Sequence, residues 1–268
     1  MSPHFGITSH TIVRNEDRFI WFAINSVLPF IDQLIIYDTG STDTTPTIIK
    51  SISSPKIIFE PQGSRTAAQI TKLRQQQLNR THTPWFLILD GDEVWYQQSI
   101  QAVLATAKSK PHLYGIITPT INCVGDIYHY QEAAAGKYTF AGRTGHLAVR
   151  AMRRLQGLTI KTDYPLEGYY DSTGHQLTDY PHKLAYVDRP YLHLTNLSRS
   201  TTSESTVISR EKKYELGIPV GPDFIYPEVF LQPRPDMVPD PWTKASASDH
   251  LRAMVETPLK LIKRRVLH

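Results

Sequence analysis

Apolar positions along the first 120 residues switch between two spacings. "GITSHTIV", "QLIIYD", "KIIF" and "WFLILD" are short apolar or alternating runs, and each predicts a strand. Between the first two, from about Glu16, the residues Ile20, Ala23, Ile24, Val27 and Leu28 recur at i, i+3, i+4, i+7 and i+8, which predicts a helix with one buried face. A second helix is expected near Pro46, whose fixed φ and missing N–H suit a first helical turn after Thr45. A third is expected from Thr66 to Arg80. Strand and helix in alternation predict an α/β fold, a mostly parallel central sheet flanked by helices. Ligands of such sheets bind beyond the carboxyl ends of the strands. "YDTGSTD" and "DGDE" both stand at such ends and are expected to face one crevice.

After residue 120 the texture changes. "INCVGDIYHYQEAAAGKYTFAGRTGHLAVRAMRR" mixes strand-like pieces with glycines and tyrosines, as irregular sheet and loop do. Prolines then crowd "YPEVFLQPRPDMVPDPW", which rules out regular helix and predicts an extended strap or lid. "SDHLRAMVETPLKLIKRRVLH" reads as a helix that Pro258 breaks or kinks. The expected organisation is one domain over 1–213, with halves 1–120 and 121–213, followed by a strap and basic helix over 214–268.

Composition narrows the function classes. The single cysteine, Cys123, excludes an intrachain disulfide and a cysteine-based zinc cluster. It agrees with a reducing cytoplasm, the expected location. The first residues lack the pattern of a signal peptide, and no run approaches the roughly 18 apolar residues of a membrane span. A net charge of +4 suits an anionic ligand or a lipid surface. Nucleic acid is not an expected partner, because no helix-turn-helix, zinc-finger or RNA-recognition signature is present. In the last helix Lys260, Lys263, Arg264 and Arg265 stand among Leu259, Leu261, Ile262, Val266 and Leu267. Such a segment either lies on anionic lipid at the inner face of the membrane or packs on its own domain with a solvated basic face.

"FLILDGDEVW" carries the candidate chemistry. Asp90, Asp92 and Glu93 follow four apolar residues, and like charges so close call for a cation. If the strand continues, Asp90 and Asp92 point to one side and Glu93 to the other. Paired carboxylates at a strand end are hard oxygen ligands for Mg²⁺ or Mn²⁺, although Asp and Gly also simply favour turns.

"TIVRNEDRFIWFAINSVLPFIDQLIIYDTGSTDTT" and "LRQQQLNRTHTPWFLILDGDEVW" together resemble the opening of family-2 glycosyltransferases of the GT-A fold. The resemblance implies a Rossmann-like sheet with an acceptor-side second half, and transfer of a sugar from a UDP- or GDP-sugar. Thr11, Ile12, Val13 and Asn15 would then rim the base side of the nucleotide site, with plain core as the favoured reading of the apolar Ile12 and Val13. Asp38 would reach the base, or cap the "TGSTD" turn. Arg74 would contact base or diphosphate, or make a helix-surface salt bridge. Asp90 would hold ribose or metal, and Asp92 the metal, Mn²⁺ or Mg²⁺, bridging the diphosphate.

The acceptor side follows by the same resemblance. Glu167 in "YPLEGYYDSTG" would be the general base of a direct, inverting displacement, with Asp163 and Asp171 in reserve and a purely structural carboxylate as the alternative. His193 would be a further metal or diphosphate ligand, or a structural histidine. Arg199 and Lys212 are read as solvated surface residues within reach of a diphosphate, while Arg143, His146 and Arg150 suit the surroundings of a phosphate or sugar but are too common in type to be assigned. The acceptor would be a glycan or lipid-linked sugar. Two rivals remain. A sugar-nucleotide nucleotidyltransferase would carry a glycine-rich basic loop where this chain has "RNEDRF", and a degenerate binding module would lack turnover.

Overall fold

The structure, a computed structural model, describes residues 5–202 and 213–266. Lys212 and Leu267 lie outside the described residues. In chain order the elements are β1 (Ile7–Val13), α1 (Ile20–Val27), β2 (Gln33–Asp38), α2 (Thr45–Ser51), β3 (Ile57–Pro61), α3 (Ala67–Asn79) and β4 (Trp85–Ile88). There follow β5 (Glu93–Trp95), α4 (Gln97–Ser109), β6 (Gly115–Val124), β7 (Asp126–Tyr130), β8 (Tyr138–Phe140), β9 (Arg143–Gly145) and β10 (Leu147–Arg153). The chain continues with β11 (Thr159–Lys161), β12 (Gly168–Tyr170), β13 (Leu184–Tyr186), β14 (Tyr191–Asn196), β15 (Ile218–Pro219) and α5 (Ala247–Val266).

The main sheet runs β3-β2-β1-β4-β10-β6-β7, with the first four strands parallel and β10 antiparallel to both its neighbours. The register pairs Val13 with Asp38 and Asp38 with Pro61, so the parallel strands end along one edge. Strand alternation sorts the side chains to two faces. Leu34, Ile36 and Leu87 join α1, α2 and α4 in the larger core, whereas Ile35, Tyr37 and Phe86 face the α3 side. The strand β6 runs across position 120, and β15 pairs with β7.

The helices form for local reasons that the sequence carries. Thr66 caps α3 by a reciprocal box with Gln69, and Pro46 sits in the first turn of α2. The first helix begins at Ile20 rather than Glu16, because residues 16–19 form a turn in which Glu16 O accepts from the amides of Phe19 and Ile20. Ile20, Ala23, Ile24 and Val27 are all fully buried, as their spacing requires. The strap packs as core rather than as a lid: Val229, Phe230 and Val238 are buried, and Phe230 meets Phe22 edge-on at 5.1 Å.

The C-terminal helix overturns an expectation. It continues through Pro258, and its basic residues are not all solvated. Arg264 donates to Glu132 at 3.0 Å and to both carboxylate oxygens of buried Glu215, and Lys260 Nζ donates to Tyr214 O at 2.7 Å. A buried carboxylate needs a cation, and that demand turns this side of the helix inward. Among the described residues, no helix is long and apolar enough to cross a membrane.

One buried group makes stability pH-dependent. His10 on β1 stacks on Phe86 at 5.1 Å, and its Nε2 lies 2.6 Å from Thr81 Oγ1. Burial, with the Arg74 charge adding to it, pushes the imidazole pKa down to about 3. The folded state therefore keeps His10 neutral while the unfolded chain takes up a proton below about pH 6.5, so this contribution is complete above pH 6.5 and is lost as pH falls towards 3. His10→Gln is expected to flatten urea-derived stability against pH by up to about 1.4 kcal/mol per pH unit in that window. Parallel curves for the two proteins would refute a neutral buried His10.

Candidate active site

The strand β4 stops at Ile88, and residues 89–92 turn into β5. Alternation along a continuing strand therefore does not orient Asp90, Asp92 and Glu93; the turn does. Gly91 packs closely there: a Cβ would lie 3.0 Å from Glu16 Cγ and 3.3 Å from Val13 Cγ1, so a larger residue would push those side chains back. The turn packs its backbone directly on the loop after β1.

Three arginines answer the carboxylates. Arg150, on β10, donates through Nη2 to Asp90 Oδ2 at 2.9 Å and to Glu93 Oε1, and through Nε to Tyr191 Oη at 3.0 Å. Glu93 thus shares a guanidinium with Asp90 instead of pointing away from it, and Tyr191 Oη donates to its Oε1 at 3.0 Å. Burial pushes the Glu93 carboxyl up to about 7, against the pull of Arg150. Burial would by itself lower the pKa of Arg150, but Glu93, Tyr191 and Asp90 hold it well above the ordinary value. Arg150 had no role in the sequence reading, since a lone arginine in a glycine-rich stretch carries no signal of its own.

Arg74 and Glu167 meet at the same edge. Arg74, buried on α3, donates through Nε to Glu167 Oε1 at 2.8 Å, and its Nη2 lies 3.5 Å from Asp90 Oδ1. It is therefore no helix-surface salt bridge. The loop bearing Glu167 is tied to the preceding turn of that helix, where Thr71 Oγ1 donates to Thr162 O and accepts from Tyr164 N. Glu167 Oε2 has no hydrogen-bond partner, and neither does the hydroxyl of neighbouring Tyr169.

Asp92 faces the other way. It is 1% exposed, its Oδ2 lacks a hydrogen-bond partner, and its Oδ1 lies 3.6 Å from His193 Nε2, which lacks one too. At that distance the two side chains are close but not hydrogen-bonded. Burial would raise the Asp92 pKa, yet His193 and Arg199 outweigh it and hold the carboxyl below its usual range. Arg199 Nη1 reaches Glu16 and stands 4.0 Å from Asp92 Oδ2, so the reading of Arg199 as a solvated surface residue is corrected. The segment carrying it crosses to the loops after β1 and β2, where Thr201 N donates to Asp17 Oδ1 at 2.8 Å and Ser200 Oγ to Asp43 Oδ2 at 2.6 Å.

Other sequence candidates fall as follows. Asp38 closes β2, and its Oδ1 accepts from Ser41 Oγ at 2.5 Å and Ser41 N at 3.1 Å, so it caps the "TGSTD" turn. Asn15, at φ +54°, accepts through Oδ1 from Thr42 N at 2.8 Å and clasps the same turn. Thr11 is fully buried beneath α3, with its carbonyl taken by Gln77 Nε2. Of the reserve carboxylates, Asp163 is exposed, and Asp171 is bound into its own loop by Thr173 and Tyr180. His146 bridges Asn122 and Glu132 O, and Arg143 stacks on Tyr186 at 4.3 Å.

The balance of charge matters. Glu16, Asp90, Asp92, Glu93 and Glu167 face Arg74, Arg150 and Arg199, so with Glu93 ionised the carboxylates exceed the guanidiniums by two. Among the described residues, no three His, Cys, Asp or Glu side chains form a ready-made metal cage.

With this geometry in place, the sequence profile of Glycosyl transferase family 2 matches residues 10–189, from β1 to the approach to β14. The chain belongs to glycosyl transferase family 2. Its fold is the GT-A fold. A TPR repeat-containing protein of Synechococcus elongatus is 33% identical over 82 residues, 31% of this chain and 19% of that protein. The chain thus spans about a fifth of that relative's length. The crystal structure of S. aureus TarS aligns with a TM-score of 0.50 at 13% identity, over 71% of this chain and 37% of TarS. TarS 1-349 in complex with UDP-GlcNAc also gives 0.50, at 11% identity, over 76% of this chain and 60% of that one. At such identities the likeness speaks for the family's fold.

Proposed function

We propose that this chain transfers a glycosyl group from a UDP- or GDP-sugar to a hydroxyl of a carbohydrate or lipid-linked acceptor, with inversion at the anomeric carbon. The observation that carries the reading is the convergence of Asp90, Arg74 and Glu167 beside the buried pair Asp92 and His193. Family membership and the TarS–UDP-GlcNAc likeness support a nucleotide-sugar donor, and a UDP-sugar first.

Each residue has a task in this reading. Arg150 and Arg74 hold the Asp90 carboxylate from both oxygens, orienting it towards a ribose hydroxyl at the strand edge. Arg74 also presents positive charge to the diphosphate, and Asn15 and Asp38 shape the base side through the "TGSTD" turn. Glu167 is fixed through Oε1, and its unpartnered Oε2 accepts the acceptor's proton as the anomeric bond forms.

A divalent cation fits the residues present. Asp92 and His193 would hold it, since Asp92 Oδ2 and His193 Nε2 are both buried without hydrogen-bond partners, the two side chains approach to 3.6 Å through Oδ1, and the carboxylates of the cluster outnumber its guanidiniums. Mn²⁺ or Mg²⁺ would neutralise the departing nucleoside diphosphate.

Thermal denaturation against UDP-, GDP- and dTDP-sugars, with and without Mn²⁺, tests the donor. One nucleotide is expected to stabilise selectively, and only with metal, by about 2.7 kcal/mol at a hundredfold excess over Kd. At this chain length that is several degrees in Tm. Equal indifference to every donor, with and without metal, would end the proposal.

A further inference from the structure

The C-terminal helix wears its apolar residues outside. Leu251, Val255 and Leu259 are 65%, 70% and 66% exposed, and Met254 and Ile262 are more than half exposed. At about 3.6 residues per turn, positions 251, 254, 255, 258, 259 and 262 form one continuous stripe along α5. The opposite side is already committed: Ala253 is buried, Thr257 Oγ1 accepts from Leu216 N, and Lys260 and Arg264 are anchored as described. Rotation to bury the stripe would strand Glu215 without its cation, so the helix is held with its apolar side out.

The charges beside the stripe say what covers it. Arg252 and Lys263 flank one edge and Arg265 the other, and all three are exposed. The acidic residues Asp249 and Glu256 lie farther round, and Glu256 is shared by Arg252 at 2.7 Å and Lys260 at 2.9 Å. An apolar stripe between cationic edges is the arrangement that inserts at the level of lipid headgroups and acyl chains. A second copy of the helix suits it less, because antiparallel pairing brings Arg252 against Lys263 and Arg265.

We infer that α5 is a membrane-surface helix that lays Leu251, Val255, Leu259 and Ile262 into an anionic bilayer, with Arg252, Lys263 and Arg265 on the headgroups. Resting on the function proposed above, the protein would then work at a lipid surface, where a lipid-linked acceptor is found. Binding to lipid needs no donor or turnover, so its failure and the failure of the donor reading are separate results. The inference also revises which cations serve: Lys260 and Arg264 hold the helix to the protein and do not meet lipid.

Cosedimentation of the full chain with vesicles of phosphatidylcholine, with and without one-third phosphatidylglycerol, tests it. Binding is expected to the anionic vesicles at low salt, to weaken in high salt, and to vanish in Val255→Asp/Leu259→Asp. Neutralising Lys263 or Arg265 should each weaken partition about fivefold, the equivalent of about 1 kcal/mol per surface cation. Because these side chains are exposed, the variants should keep the parent's Tm. No binding to anionic vesicles at low salt, or unchanged binding by the double variant, would overturn the inference. A concentration-dependent dimer abolished by Val255→Asp/Leu259→Asp, without vesicle binding, would assign the stripe to a second copy.

Discussion

Replacing Glu167 by glutamine is expected to slow sugar transfer about 10²- to 10⁴-fold while donor affinity changes little. Glutamine keeps the size of the side chain and an oxygen for Arg74 Nε, 2.8 Å away, but puts an amide where Oε2 lacked a partner. It cannot take the acceptor's proton. The measurements are transfer rate at saturating donor and donor affinity by calorimetry, on a variant whose Tm matches the parent. A rate loss that falls on the chemical step supports the base. A joint fall in stability and donor affinity would instead make Glu167 a strut for Arg74, whose charge also bears on Asp90. Near-normal transfer would remove Glu167 from the mechanism. Of its two substitutes, Asp171 is bound into its own loop by Tyr180, so exposed Asp163 would be the next carboxylate to replace. A product of retained anomeric configuration would overturn single-step displacement whatever the variants did.

The second large effect belongs to Asp92. Asp92→Asn, or excess chelator on the parent, is expected to cost of order 10²-fold or more in transfer, with Mn²⁺ or Mg²⁺ restoring only the chelated parent. Metal-dependent thermal stabilisation by donor should disappear with it. The substitution is not expected to stabilise the empty protein. The repulsion from Asp90 is outweighed by His193 and Arg199, which together favour the charged carboxylate. A modest loss, within about 0.5–3 kcal/mol, is the expected stability change. His193→Ala should follow the same pattern with a smaller amplitude, since an imidazole ligand brings no negative charge to the metal. Full activity in excess chelator would dismiss the cation and leave Arg199 and Arg74 to carry the diphosphate.

How far these residues were legible in the chain depends on the range of the interactions that place them. Residues governed by near neighbours were readable. The four parallel strands appear where apolar runs predict them, with "QLIIYD" matching β2 residue for residue. Thr66 and Pro46 begin their helices as cap and first-turn residues do. The D-G-D turn stands at the sheet's edge because four apolar residues must end somewhere, and a Cβ at Gly91 would crowd Glu16. Ordered motifs along the first 95 residues were enough for the family and the fold.

What the sequence alone determined, then, is the α/β alternation, the edge where the candidate chemistry gathers and the family to which the chain belongs, since all three follow from local periodicity and motif order. Tertiary structure decided which cations answer which carboxylates. Arg150 lies 60 residues from Asp90, and Arg199 lies 183 from Glu16, distances over which no local pattern speaks. It also set the direction of Glu93, because the strand that would have alternated its side chains stops at Ile88. The last helix shows the same division. Its amphipathic composition was plain, but which side faces in was chosen by buried Glu215, on a segment packed beneath it, to which Arg264 of that helix donates two hydrogen bonds. Burial makes such long-range pairing compulsory, and no reading of neighbours along the chain contains it.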